Sequence, residues 1–313
     1  MILIMKKTTY IVLFLILLLS LSGCKSSSKT QKNLSPSEVQ TGETKASKST
    51  ETAEPQNSKL AKDDSSKDIV SKKEPEIYNI LGKSNRLTKS ETDAMNTWRE
   101  EIVKMSKANS DRLFINGYTK EKVVALTFDD GPDSKTTPRI LDILKKNNIH
   151  GSFFFIGNRI NQYSSVVKRT YEEGNLVLSH SFSHPELTKK SAKEVKNEFI
   201  SAENAIYSVI KKKPAIVRPP YGAVNETVLK EASEEDLKLT IWSTDTLDWS
   251  QKEKANIVKN VVDNVRPGEI ILMHSNEDKA TTAEALPEII TKLKEKGYSF
   301  VDLSELLNTN AYK

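Results

Sequence analysis

The side chains able to do chemistry gather in five short runs between positions 127 and 274. In Thr127-Phe128-Asp129-Asp130-Gly131-Pro132 two adjacent carboxylates precede a forced turn, so one can ligate a metal while the other stays free as a base. His180-Ser181-Phe182-Ser183-His184 spaces two imidazoles at i and i+4, which share a face if the segment is helical. Imidazole suits zinc and other borderline divalent ions. With Asp130 the pair makes an Asp–His–His set, three protein ligands with room for water, as catalytic metal sites have. Arg218-Pro219-Pro220-Tyr221-Gly222 is a stiffened loop whose guanidinium can pair with a carboxylate and whose Tyr221 can present a fixed backbone N–H. Asp245-Thr246-Leu247-Asp248-Trp249 brings two more carboxylates. In Ile271-Leu272-Met273-His274 an imidazole ends an apolar run, where a neighbouring carboxylate would hold it charged and oriented. Each run alone also has a plainer reading: a surface turn, a surface arginine, a hydrogen-bonded structural histidine. The fourth histidine, His150, falls in none of them and is expected in a surface loop.

These runs need elements that carry them to one place. From Val123 onward the pattern alternates strand and helix. Strands are expected at Val123–Phe128, Phe153–Ile156, Leu176–Ser179, Ala215–Arg218, Leu239–Ser243, Glu269–Met273 and Ser299–Asp302. Thr137 with Pro138 can start a helix. Ser191-x-x-Glu194 is a capping box leading into Val195, Phe199, Ala202, Ile206 and Val209 at helical spacing. Leu286, Ile289, Ile290 and Leu293 line a helix that Gly297 stops. Alternating strands and helices predict a parallel α/β sheet, and active sites of such folds lie where the strands run out. About 190 residues allow a closed barrel smaller than the ~250-residue eight-stranded form.

The order and spacing of the five runs resemble the polysaccharide deacetylase family, the NodB homology domain of carbohydrate esterase family 4, over about residues 118–307. The resemblance implies a distorted (β/α) barrel of about seven parallel strands and removal of N-acetyl groups from N-acetylglucosamine units. It implies Asp129 as general base and Asp130, His180 and His184 as ligands of a divalent metal, with zinc expected and cobalt or nickel acceptable. It further implies Arg218 as orienter of Asp129, the Tyr221 N–H as oxyanion donor, Asp248 as partner of the general acid His274, and Trp249 and Leu272 as groove residues. The role of Asp245 is left open beside that of Asp248. Glu234-Glu235-Asp236 departs from the small or apolar stretch common there and carries no functional reading.

The rest of the chain concerns place rather than chemistry. Lys6 and Lys7 precede an apolar run, Ile11 to Leu19, too short to span a bilayer comfortably. It ends in Leu21-Ser22-Gly23-Cys24, which resembles the lipobox of bacterial lipoproteins and implies a signal over 1–23 and lipid on Cys24. Two or more acyl chains anchor stably, so the expected location is the outer face of a bacterial cell membrane. Residues 24–75 are serine-rich, lack aromatics and hold only scattered apolar residues, the composition of a disordered tether. In 76–117, Ser90-x-x-Asp93 reads as a capping box for a helix bearing Met95, Trp98, Ile102 and Met105, a helical spacer expected to pack on the main domain. Residues 308–313 are read as a tail. Cys24 is the only cysteine, which excludes an intrachain disulfide and thiolate zinc fingers. A net charge of +5 without clustering gives no nucleic-acid footprint. A monomer acting on a polysaccharide is expected, peptidoglycan first and chitin oligomers or an exopolysaccharide next. The competing readings are a non-catalytic glycan-binding lipoprotein and an esterase acting on O-acetyl groups.

Overall fold

In β2 (Val123–Asp129) the alternation of a strand sorts side chains between two buried faces. Val124, Leu126 and Phe128 join the helix-facing core, whereas Ala125, Thr127 and Asp129 fall on the other face. Because both faces are covered, the run reads as almost continuously apolar. The computed structural model describes residues 76–313, and the expected signal, lipidation site and tether lie outside those residues.

The described chain runs α1 (Lys89–Ala108), β1 (Leu113–Phe114), β2, α2 (Thr136–Asn147), β3 (Ser152–Phe155), α3 (Ser164–Glu172), β4 (Leu176–Ser179), α4 (Ala192–Ile210), β5 (Ile216–Val217) and α5 (Glu226–Glu234). It continues through β6 (Lys238–Thr240), β7 (Thr244–Asp245), α6 (Lys254–Val262), β8 (Glu269–His274), α7 (Ala280–Glu295), β9 (Ser299–Phe300) and α8 (Leu303–Leu307). All named strands pair in parallel, in the order β1-β6-β5-β4-β3-β2-β8-β7, with β9 on the start of β2. β6 and β7 are the two ends of one run, residues 238–245. Its beginning pairs with β5 and β1, and its end pairs with β8. That single run joins the two ends of the sheet order into a distorted (β/α) barrel.

All seven expected strands are present; Leu176–Ser179 keeps its limits and the others change theirs. The run expected at Leu239–Ser243 is split because it changes partners midway. β5 is cut to two residues, since Pro214 and Pro219 flank it and cannot donate to a ladder. Asp302, expected in the last strand, instead caps α8 by accepting from the Glu305 N–H. β1 was not anticipated: two residues are too few to show a period, and its pairing with β6 joins residues more than a hundred apart.

Two expected helix starts are corrected. The capping box of α1 is Thr88 with Glu91, not Ser90 with Asp93. Glu91 has the extra methylene needed to reach back to the Thr88 N–H, at 2.8 Å. In α2 Thr137 lies within the first turn. The Asp133 carboxylate accepts from its N–H at 2.9 Å, and the Thr137 hydroxyl donates to the Ser275 carbonyl. The Ser191–Glu194 box of α4 forms as expected. α7 ends at Glu295, and Gly297 follows in the left-handed region. Segment 76–117 does more than carry a helix. Leu81 bridges to Thr244, and β1 adds a strand to the barrel. Among the described residues no helix is long and apolar enough to cross a membrane.

Candidate active site

The chemistry-bearing runs all reach the carboxyl end of the barrel. Asp129 ends β2, His180 follows β4, Arg218 follows β5, Asp245 ends β7 and His274 ends β8. His150 precedes β3 at the opposite end and is exposed, as expected.

One corner is built around Asp130. Asp130, Ser181 and His184 all take left-handed backbone conformations, each costing on the order of 1 kcal/mol for a residue with a Cβ. The surrounding structure holds them there. Gly157 and Asn158 donate backbone hydrogen bonds to Ser181 and Phe182, and the Ser181 hydroxyl accepts from the His184 N–H. The His180 Nδ1 lies 2.7 Å from the Arg218 carbonyl. A carbonyl only accepts, so Nδ1 carries the proton and Nε2 turns a lone pair inward. The Asp130 Oδ1 lies 3.4 Å from the His180 Nε2 and 3.1 Å from the His184 Nε2.

Asp130, His180 and His184 therefore offer three donor atoms within 4.8 Å of one another. Two donors held about 2.0–2.1 Å from a tetrahedral ion stand roughly 3.4 Å apart, close to the spacing seen. The buried Asp130 Oδ1 has no hydrogen-bond partner, as a metal ligand would not need one. The set fits a borderline divalent cation. Burial opposes the charge on Asp130, but the two imidazoles outweigh it and hold the carboxyl far below its usual range.

Asp129 sits beside this set, its Oδ2 3.8 Å from the His180 Nε2. Arg218 is fully buried and donates at 2.8 Å to the Asp129 Oδ1, at 2.9 Å to the Thr127 hydroxyl and at 2.8 Å to the Ile241 carbonyl. Its guanidinium also lies over the Phe154 ring, 4.3 Å from the centroid. This arginine cannot swing away, so Asp129 keeps one oxygen occupied and one free toward the site.

The opposite corner is a buried ion pair. Burial pulls His274 down, but the Asp248 charge and hydrogen bond, with help from Asp130 and Asp129, push its pKa up to about 9. The His274 Nδ1 and backbone N–H bond the two Asp248 oxygens at 2.7 and 2.9 Å, and the Thr282 hydroxyl donates to the same carboxylate at 2.6 Å. Asp248 is held ionised by His274 despite its burial, whereas burial pushes Asp245 up to about 6. This separates the two carboxylates: Asp248 holds the imidazole. Asp245 accepts from the Leu247 N–H and the Trp249 indole and faces Arg99 at 3.8 Å.

Tyr221 and Trp249 are the exposed large side chains of the site loops, at 64% and 45%. The Tyr221 ring packs edge-on against His184, and its backbone is left-handed at the tip of a short turn. Leu272 is 2% exposed, two residues before His274 on the inward face, so it lies beneath the site rather than beside an open groove.

A comparison of this chain with known families matches the polysaccharide deacetylases over residues 116–240. A peptidoglycan-N-acetylglucosamine deacetylase of Bacillus cereus is 39% identical over 199 residues, covering 63% of this chain and 72% of that protein. This chain belongs to the polysaccharide deacetylase family. The enzyme of the same description from Listeria monocytogenes is 44% identical over 185 residues, 59% of this chain, which spans only 39% of that relative's length. Among solved structures, that of the Bc1960 peptidoglycan N-acetylglucosamine deacetylase is 36% identical with a TM-score of 0.64, covering 66% of this chain and 97% of that one.

Several residues around this site were not legible in the sequence. Thr282 on α7 and Glu198 on α4 are polar residues in amphipathic helices, with nothing local to distinguish them. Trp98 and Arg99, neighbours on α1, each brace a site loop. The Trp98 indole donates to the Gly222 carbonyl at 3.3 Å and packs against Trp242. A Cβ at Gly222, left-handed at φ +64, would stand 2.5 Å from the Trp98 ring, so that loop requires glycine. Arg99 donates to the Gly82 carbonyl and turns toward Asp245. The helix read as a spacer thus buttresses the loops of both Tyr221 and Trp249.

Proposed function

We propose that this protein is a metal-dependent N-deacetylase of N-acetylhexosamine polymers, with peptidoglycan N-acetylglucosamine as its first substrate. One observation carries the reading: a metal-type donor set and an arginine-braced carboxylate face a charged imidazole across one barrel mouth. The choice of glycan draws on relatives described as peptidoglycan deacetylases.

Asp130, His180 and His184 would hold the divalent ion, zinc before cobalt or nickel. When bound, it supplies a Lewis acid for the acetyl carbonyl and a more acidic water. Asp129 takes a proton from the attacking water, and Arg218 keeps that carboxylate aimed. The Tyr221 N–H donates to the oxyanion of the tetrahedral intermediate. His274 passes its proton to the departing nitrogen while Asp248 and Thr282 hold the ring. The C–N bond breaks, releasing acetate and leaving an amine on the sugar. Tyr221 and Trp249 offer ring faces to the glycan, and Leu272 forms the floor under the acetyl group. The lipobox-like run ending at Cys24 would tether the enzyme to the outer face of the cell membrane, beside the wall.

The test is acetate release by the purified, zinc-loaded protein from peptidoglycan, chitin oligomers and acetylated xylan. Acetate from peptidoglycan is the expected result. Release from xylan alone would reassign the enzyme to ester bonds, and zinc uptake without acetate from any glycan would favour a binding protein. Palmitate labelling that persists in Cys24→Ser would overturn the anchor.

A further inference from the structure

Glu198 lies on α4, one helical turn beyond the Ser191–Glu194 capping box, and it is only partly buried. Its carboxylate nonetheless makes three short contacts with the loop between the two histidines of the metal-type set. The Glu198 Oε2 accepts from the Phe182 N–H at 2.9 Å and the Ser183 N–H at 2.8 Å, and the Oε1 accepts from the Ser183 hydroxyl at 2.6 Å. These are charge-assisted bonds to two successive backbone amides and a side chain.

The loop they hold is unusual. Ser181 and His184, on either side of the clamped residues, are both left-handed without being glycine. Such a conformation persists only where the surroundings over-determine it. It is also what brings the His184 Nε2 to within 3.1 Å of the Asp130 Oδ1. With the clamp removed, the loop can relax toward ordinary backbone angles, and His184 would leave the position it shares with His180 and Asp130.

We infer that Glu198 is a positioning residue for metal binding: it holds loop 181–184 in the strained form that presents His184 beside His180 and Asp130. The inference rests on the reading of those three residues as metal ligands. Glu198 is not one of the three donor residues, and its effect passes through its contacts with Phe182 and Ser183. Partners of this outer kind change metal affinity by roughly 10–100-fold when removed.

The experiment measures zinc affinity of the whole protein by competition with a chromophoric chelator, independent of any glycan. Glu198→Ala is expected to weaken zinc binding by about 10–100-fold. Glu198→Gln should fall between it and the wild type, because the amide oxygen still accepts while the charge is gone. Glu194→Ala is the control: it opens the cap of the same helix without touching the loop, so zinc affinity should stay within about twofold of the wild type. Unchanged affinity in Glu198→Ala would overturn the inference, as would an equal loss in Glu194→Ala, which would assign the effect to helix stability. Should Glu198→Ala fail to fold, Glu198→Gln decides by the same criteria. A wild-type protein that takes up no zinc would overturn the metal reading and the clamp together, whereas wild-type uptake with an indifferent Glu198 overturns the clamp alone.

Discussion

The two corners of the barrel mouth are held by different physics. The Asp130–His180–His184 corner is held by backbone: three left-handed residues, amides bonded across loops and one carboxylate on a helix. Its donor atoms crowd together with the Asp130 Oδ1 unpartnered. The Asp248–His274 corner is held by charge: an ion pair in which the Asp248 carboxylate accepts from the His274 ring and backbone on β8 and from Thr282 on α7. The first corner thus stores backbone strain at three residues, and in the second a carboxylate raises the pKa of the imidazole it holds. A barrel of parallel strands can build both because each strand end contributes one residue and the connecting loops are free to differ.

The largest expected effect breaks the first corner alone. His180→Ala should lose zinc and acetate release together, measured by metal content after dialysis and by turnover, with the raised titration of His274, at about 9, retained. Next, Asp129→Asn should keep zinc near wild-type affinity while turnover falls by about 10²–10⁴-fold, the usual contribution of a positioned base. Full activity in Asp129→Asn would remove it from that role.

The second corner can be broken by pH. In the metal-free protein the folded pKa of His274, about 9, lies above its ordinary value of 6.5. The stability from its charged pair is therefore fully present below about 6.5 and is lost as pH rises through about 9. That loss is on the order of 3 kcal/mol. Denaturant titrations from pH 6 to 10 should show the decline, and Asp248→Asn should flatten it while lowering the His274 titration seen by NMR. A His274 titrating near 6.5 in the wild type would contradict the pair. The smallest effect tests the brace that α1 gives the Tyr221 loop. Trp98→Ala should cost roughly 2 kcal/mol of stability for a partly buried aromatic and raise KM for glycan several-fold, with zinc affinity unchanged. Zinc affinity that fell with it would mean that α1 supports the metal corner as well.

How much of this was readable beforehand depends on how local the signal was. The strand ends carrying Asp129, His180, Arg218 and His274 were readable because apolar runs stop abruptly at chemical residues. The two histidines were readable from their motif, but the shared helical face is not formed: 180–184 is a loop, and left-handed Ser181 and His184 bring the rings together beside Asp130. The separate roles of Asp245 and Asp248 were not, because both sit in one short motif and only burial and partners distinguish them. The α1 cap lies two positions before the expected one, within a stretch that offers two similar boxes, where side-chain reach decides.

What the sequence determined by itself was the inventory: alternating strands and helices, five reactive runs and a parallel α/β architecture in which they meet. These follow from period and composition, which are properties of neighbours along the chain. Only the tertiary structure decided that residues 238–245 close the barrel by changing partners, that α1 braces the site, and that Glu198, Thr282 and Arg99 belong to it. Those are contacts between residues far apart in sequence, and a carboxylate or hydroxyl on a helix looks the same in a sequence whether it faces water or a strained loop.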